Sequence, residues 1–477
     1  MTHNKKNVNV AIIGAGTAGL TALKQVQKAT DNFVIINEPP YGTTCARVGC
    51  MPSKALIQIA KDYHRRKVMA TEGIHGSGQL SVDIPAILQR VRDLRDHLTS
   101  NVIRITDALG EKSITGRASF ISADTLRVGD QTITAEIFII ATGSKPIIPK
   151  SWLEFSDRIL TSDDIFDQPD LPDRMGVIGL GAIGVELAQA LARLDIDIFA
   201  VSKSEHIAGI TDPDVNQAAI DLLKEEFSFV LGQNAELSWT DERGRIRLKA
   251  GEKEATVDKI LVALGRRPNL DNLNLQATGA EFDQQGRPVF DPKTLQIGDL
   301  PIYIAGDANG YRTLQHEAAD EGRLAAYLSL HEDAECLGRR VPMGIVFSDP
   351  NIARIGLSWQ ACQDRDIVVG EFDFIHQSRA FVSNRNRGAL RVYVSQKDST
   401  LLGAEMIAPD GEHLAHLLAW VIQQQQTVQD VLRLPFYHPV IEEGLRSALQ
   451  NAAKKLGHRI PVPDLPLCDE APSWSLG

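Results

Sequence analysis

The chain has 477 residues, of which 43 % are apolar and 23 % charged, with a formal net charge of −11. That length suggests about three domains, each able to bury its own core. The acid excess argues against nucleic acid or an anionic membrane surface as a partner. No apolar run approaches a membrane span and no signal peptide is visible ahead of residue 8, so a cytoplasmic protein is expected.

In chain order, residues 8–13 form a short apolar run, the mark of a parallel strand buried on both faces. It feeds Gly14-Ala15-Gly16-Thr17-Ala18-Gly19, a helical pattern over 20–29, and a strand over 33–36 that ends at Glu38. Gly-x-Gly-x-x-Gly alone is a weak signal. Set between a strand and a helix and closed by an acid, it reads as a dinucleotide site. The glycines let a pyrophosphate approach the helix N-terminus, and Glu38 would accept hydrogen bonds from a ribose. The bland alternative is a glycine-rich turn kept for packing.

Next comes Gly42-Thr43-Thr44-Cys45-Ala46-Arg47-Val48-Gly49-Cys50-Met51-Pro52-Ser53-Lys54. On a regular helix, five residues turn through about 500° and climb roughly 7.5 Å, pointing the two cysteines apart. A disulfide needs Cα atoms within about 7 Å. The pair closes only if the chain between is irregular, which Gly42 and Gly49 permit. Bonded cysteines in a chain without a secretion signal read as catalytic. A zinc site and two inert core cysteines are the alternatives; zinc lacks its usual second pair here. Cys336, Cys362 and Cys468 are scattered and read as free thiols.

Residues 55–70 and 84–108 read as helices joined by a glycine-rich connection at 73–78. A strand over 137–141 ends in Thr142-Gly143, and Pro146, Pro149, Pro169 and Pro172 punctuate a linker. A second unit follows: Gly179-Leu180-Gly181-Ala182-Ile183-Gly184, a helix to 194 and a strand over 196–201. Two units imply two different dinucleotides. In the second the acid is missing, and Ser202, Lys203 and Ser204 stand at the strand's end. Hydroxyls and a lysine could hold a 2′-phosphate that an acid would repel, which leans towards NADP(H). No arginine follows within the next several residues, and Lys203 reads equally well as a solvated lysine, so NAD or NADP stays open.

Residues 257–264 read as another buried strand ahead of Gly265-Arg266-Arg267-Pro268-Asn269. Residues 301–305 lead into Gly306-Asp307, and the next helix carries Glu321-Gly322-Arg323. From 342 onwards, shorter runs over 346–355, 389–394 and 401–407 suggest an antiparallel sheet, followed by helices near 411–426 and 440–456. His413 and His416 lie at i and i+3 with no third ligand nearby, so a helix surface is expected and no metal site. In Phe436-Tyr437-His438-Pro439-Val440-Ile441-Glu442-Glu443, an apolar stripe from 441 puts Glu443 in the first turn of the last helix. There it could hold the His438 imidazole in one tautomer. It could also merely complement the helix dipole.

The cysteine stretch resembles the redox-active segment of the flavin-dependent pyridine nucleotide–disulfide oxidoreductases, Gly-Gly-x-Cys-x4-Cys-x-Pro-Ser-Lys. Thr43 replaces the second glycine. The resemblance covers almost the whole chain, four motifs agree in order and spacing, and dihydrolipoamide dehydrogenases are the most similar members. It implies an α/β fold with two Rossmann-like dinucleotide-binding domains, one for FAD and one for NAD(P), plus a C-terminal α+β interface domain. The implied boundaries are 1–148 and 273–341 for the FAD domain, 149–272 for the NAD(P) domain and 342–477 for the interface domain. FAD, bound non-covalently, is expected at Gly14, Gly16, Gly19, Glu38, Thr44, Lys54, Ala118, Thr142, Gly143, Asp307 and Gln315. NAD or NADP is expected at Gly179, Gly181, Ala182, Ile183, Gly184, Ser202, Lys203 and Gly265, with Gly184 typical of NAD-using members.

The same resemblance makes Cys45 the thiol that exchanges with substrate and Cys50 the thiolate against the flavin. Lys54 would pair with Glu186 beside the flavin. His438 and Glu443 would supply a base to the partner subunit's site, which implies a homodimer. Two departures, Phe436 and Val440 for a histidine and a threonine, leave the thiol rim less polar. They favour the apolar arm of dihydrolipoamide, free or on a lipoyl domain, oxidised with NAD+. The alternatives are an NADPH-dependent reductase of a small disulfide such as glutathione disulfide, favoured by Ser202, Lys203 and Arg323, and a thiol-independent nicotinamide transhydrogenase or diaphorase. A mercuric reductase lacks its second thiol pair here, and the lone Cys468 cannot form a C-terminal relay.

Overall fold

A computed structural model describes residues 4–240, 244–331, 333, 335, 337–457 and 465. Cys336 and Cys468 lie outside these. The first apolar run extends back to form the strand Asn4–Ile13, parallel to Phe33–Asn37 on one side and to Gln131–Ile140 on the other. Ser113–Thr115 closes one edge of this sheet, and an antiparallel hairpin, Ala118–Ser122 with Thr125–Val128, closes the other. The strand Ile302–Ile304 also pairs with Gln131–Ile140, in parallel. The sheet begun at residue 4 is therefore completed only after an intervening unit.

That unit has its own five-stranded sheet, in the order Ser228–Leu231, Asp197–Ser202, Arg174–Ile178, Lys259–Val262 and Ile159–Leu160, all parallel. The expected proline linker is partly a joint: Ser144–Pro146 pairs antiparallel with Arg266–Pro268 where the chain leaves and returns. The expected single strand over 257–264 is split. Val257 ends an antiparallel meander of Glu236–Trp239, Ile246–Ala250 and Lys253–Val257, while Lys259–Val262 enters the parallel sheet. Between them the Asp258 amide donates to the Arg174 carbonyl at 3.1 Å, which turns the chain from one sheet to the other.

The helices also differ from expectation at their ends. The first begins at Thr17, directly on the glycine turn, and the predicted 55–70 helix is Cys50–His64 followed by the short Arg66–Met69. Ile84–Asp107 is N-capped by Asp83, whose side chain accepts from the Ala86 amide. The C-terminal sheet is antiparallel throughout, ordered Met343–Val346, Asn351–Gly356, Leu401–Ala408, Ala389–Ser395 and Ile367–Asp373. The predicted run 346–355 breaks at Asp349-Pro350 into two of these strands. Helices Gly411–Gln423 and Glu443–Lys455 share an apolar core with this sheet. His413 and His416 are exposed on the first of them.

Two buried polar clusters tie this sheet to the middle unit. Glu405 is fully buried and accepts from the Thr211 and Asp212 amides, the Thr211 hydroxyl and the Trp359 amide. Arg193 bridges Glu226 and Asp349 at 2.6 and 2.9 Å. Among the described residues no helix is long and apolar enough to cross a membrane.

Candidate active site

Thr43, the departure from the family pattern, acts locally. Its hydroxyl caps the short helix Thr44–Arg47 by accepting from the Ala46 amide at 3.0 Å. Val48 ends that helix, Gly49 takes φ −117° and ψ −114°, and a second helix starts at Cys50. A Cβ at Gly49 would meet the Thr44 carbonyl oxygen at 2.9 Å, so a side chain here would force the turn open. The irregularity that the cysteine pair needs is therefore built at this glycine.

Both thiols are free, giving the dithiol form of the pair. A hydrogen bond between the two sulfurs pulls the Cys50 thiol down to about 7, helped by the Lys54 charge, and pushes Cys45 well above its ordinary value. Cys50 is thus the thiolate and Cys45 the proton donor. Cys50 also opens its helix, where the dipole favours a negative charge.

Lys54 stands one turn further along the Cys50–His64 helix. Its Nζ donates to both carboxylate oxygens of Glu186 at 2.9 and 2.8 Å; Glu186 is 6 % exposed and lies on the middle unit's helix Ala182–Arg193. Glu186 accepts further from the Phe347 amide at 2.8 Å, and Lys54 lies over the Phe347 ring at 4.5 Å. One ion pair thus joins the thiol helix, the second dinucleotide unit and the C-terminal sheet. Phe347 carried no signal in the sequence, because its N–H meets Glu186 and its ring meets Lys54 only when distant segments dock.

Two adjoining cavities, about 370 and 170 Å³, run from the end of the Phe33–Asn37 strand to the thiols. Gly14, Glu38, Ala118 and Thr142 line the larger, Cys45, Cys50, Asp307 and Gln315 the smaller, and Gly16, Thr44 and Gly143 line both. Lys54 and Gly19 line neither. Gly19 acts in packing, since a Cβ on it would meet the Gly14 carbonyl at 1.8 Å. The groove fits a flavin dinucleotide. Gly14 is left-handed at φ +111° with no room for a Cβ, and the Thr142 hydroxyl is buried without a partner. Asp307 accepts from Ser144 at 2.6 Å, and Glu38 is held by Arg117 through two nitrogens.

The second glycine unit repeats this geometry. Gly179 has φ +97°, and a Cβ on Gly184 would meet the Gly179 carbonyl at 1.8 Å. Gly181 caps the helix opened by Ala182 and Ile183, and Gly265 lies in open space at φ +94°. Ser202 ends its strand as a buried residue and Lys203 is exposed on the turn beyond it. At the far end of the chain, His438 Nδ1 lies 2.9 Å from Glu443, which opens the helix Glu443–Lys455 and also accepts from the Val440 amide. The hydrogen bond from His438 holds the Glu443 carboxyl below its ordinary range. His438 is 74 % exposed at its side chain and lines neither cavity. Phe436 and Tyr437 are beside it, with Tyr437 exposed. Among the described residues no three or more His, Cys, Asp or Glu gather as a metal site.

These two nucleotide units, with a thiol pair between them and an antiparallel C-terminal sheet, define a flavoprotein disulfide oxidoreductase. The chain belongs to the pyridine nucleotide-disulphide oxidoreductases, matching that family over residues 8–322 and its dimerisation domain over 342–449. It is 31 % identical over 469 residues to a dihydrolipoyl dehydrogenase of Halobacterium salinarum, covering 95 % of this chain and 97 % of the relative. A mercuric reductase of Bacillus cereus is 27 % identical over 447 residues, covering 92 % of this chain and 70 % of the relative. The fold is shared with RclA, an HOCl-induced flavoprotein disulfide reductase of Escherichia coli, at a TM-score of 0.81 and 23 % identity over 93 % of this chain and 99 % of that one. The protein uses FAD and NAD(P).

With FAD bound, two-electron reduction is expected to give a long-wavelength absorption band from Cys50 that fades as pH falls through about 7, where the thiolate is protonated. Cys50→Ser removes the band, and Cys45→Ser leaves it present without reductant. A spectrum indifferent to both changes contradicts the thiol assignment. Lys54→Met removes a charge that stabilises the thiolate, so the pH midpoint of the band should rise. An unmoved midpoint would show that Lys54 has no hold on Cys50.

Proposed function

We propose that the chain passes electrons from NADPH to a small disulfide. The observation that carries this is the end of the strand Asp197–Ser202, where buried Ser202 and exposed Lys203 stand in place of an acid that would repel a 2′-phosphate. In this reading residues 1–148 and 273–341 bind FAD, 149–272 bind the nicotinamide, and 342–477 pair two copies into a cytoplasmic homodimer. FAD held in the groove lined by Gly14, Gly16, Thr44, Gly143 and Asp307 would supply two-electron chemistry between the nicotinamide and the Cys45–Cys50 disulfide.

The protein's own residues do the rest. His438 of the partner subunit takes the Cys45 proton, and the thiolate attacks one sulfur of the substrate disulfide. That S–S bond breaks, Cys45 becomes a mixed disulfide, and the imidazolium protonates the departing thiolate. Cys50, already a thiolate, attacks the Cys45 sulfur, closing the Cys45–Cys50 disulfide and expelling the second substrate half as a thiolate, which takes its proton from water. Glu443 holds the imidazole by Nδ1, so Nε2 is the nitrogen that exchanges protons. Lys54, fixed by Glu186, stabilises negative charge on Cys50 and would do the same for reduced FAD.

The second reading runs the same exchange backwards, oxidising dihydrolipoamide with NAD+. The apolar rim at Phe436 and Val440 favours it, as does similarity to dihydrolipoyl dehydrogenases. Steady-state rates with glutathione disulfide, lipoamide and dihydrolipoamide, each with both nicotinamides, separate the two. NADPH-driven disulfide reduction is expected to dominate, and Lys203→Ala should raise the KM for NADPH roughly tenfold to a hundredfold while sparing NADH. Faster turnover with NAD+ and dihydrolipoamide, with no response to Lys203→Ala, overturns the first reading in favour of the second.

A further inference from the structure

Four cations line the larger cavity: Arg47, Arg117, Lys145 and Arg266. Three are already neutralised. Arg117 pairs with Glu38, Lys145 with Asp271, and Arg266 with Asp163 while also donating to Ser144. Among the described residues, Arg47 is the exception: its guanidinium has neither an ion pair nor a hydrogen bond, and its Nε is buried with no partner. A buried N–H without an acceptor costs free energy that a bound anion would recover.

The position of Arg47 says which anion. It ends the short helix Thr44–Arg47, and its Cβ would lie 3.9 Å from a Cβ on Gly42. It shares the cavity with Gly14 and Gly16, at the start of the helix Thr17–Ala29, where the backbone is bare enough for a phosphate to approach. The acids of the same cavity, Glu38, Asp163 and Asp271, are each occupied by another cation. Arg47 also lies in the segment joining the two cysteines, yet Lys54 is the cation that acts on their sulfurs. Arg47 lines the larger cavity and not the smaller one that holds the thiols.

We propose that Arg47 binds the diphosphate bridge of FAD, as a charge-assisted donor facing the N–H groups of the first glycine turn. The proposal rests on FAD occupying this groove. It makes the segment between the cysteines a cofactor anchor as well as a redox element.

The test uses purified holoenzyme. FAD release on dilution is followed by recovery of flavin fluorescence over a series of salt concentrations, for wild type, Arg47→Ala, Arg47→Gln and Arg47→Lys. The expected result is a dissociation constant raised roughly tenfold to a hundredfold in Arg47→Ala and Arg47→Gln, with Arg47→Lys close to wild type. The two neutral variants should also lose part of the salt dependence, because one screened charge contact is gone. Arg47→Gln keeps most of the side chain's bulk, so it carries the test if Arg47→Ala does not fold. Neutral variants that hold FAD as tightly as wild type overturn the proposal. So does weaker binding with the salt dependence unchanged, which would mark a packing role. A wild-type protein that retains no FAD would instead remove the cofactor reading on which the proposal rests.

Discussion

The arrangement depends on one interruption, the break at Val48 and Gly49 that ends one helix and starts another at Cys50. Without it the two sulfurs would point apart. With it, Cys50 gains a helix N-terminus, a donor thiol from Cys45 and the Lys54 ammonium, three influences that each favour a thiolate. The asymmetry between two chemically identical side chains is thus a product of backbone geometry. Lys54 can serve it only because Glu186, in a different unit, holds the ammonium in place.

That dependence on a second unit explains the polar clusters far from the thiols. Glu405 fastens the C-terminal sheet to the Thr211–Asp212 corner, and Arg193 fastens it through Glu226 and Asp349. Buried charges of this kind add little net stability when complete. Removing one partner is costly, because the other is left unpaired. They act here as registration pins, fixing where the segment bearing Phe347 runs and therefore where Glu186 meets Lys54.

Much of this was legible in the sequence, for identifiable reasons. The glycine turns were readable because sterics demand glycine: Gly19 and Gly184 would each drive a Cβ into a carbonyl at 1.8 Å, at matching points of two units. The His438–Glu443 pair was readable because both residues sit on one local segment. The meander over 236–257 was missed because its strands are short and two of them largely exposed, and the run 257–264 misled because one apolar stretch serves two sheets. Nothing local announces that Glu405 meets Thr211 or that Phe347 meets Glu186, since those contacts form only when distant segments dock. Thr43 looked like a loss from the family pattern, yet it caps the helix that carries Cys45.

The central claim is that the catalytic machinery is divided, with thiols in one chain and base in another. It rests on an exposed His438–Glu443 pair that lines neither cavity and falls within the family's dimerisation domain. Removing the base should slow thiol exchange by about 10²–10⁴-fold. Mixing inactive Cys45→Ser with inactive His438→Ala, under conditions where subunits exchange, tests the division directly. Random pairing puts about half of the dimers in the mixed form, each with one complete site of two, so activity should return to roughly a quarter of wild type. Demonstrated exchange without any return of activity would mean that His438 serves its own chain, and the divided site would be wrong.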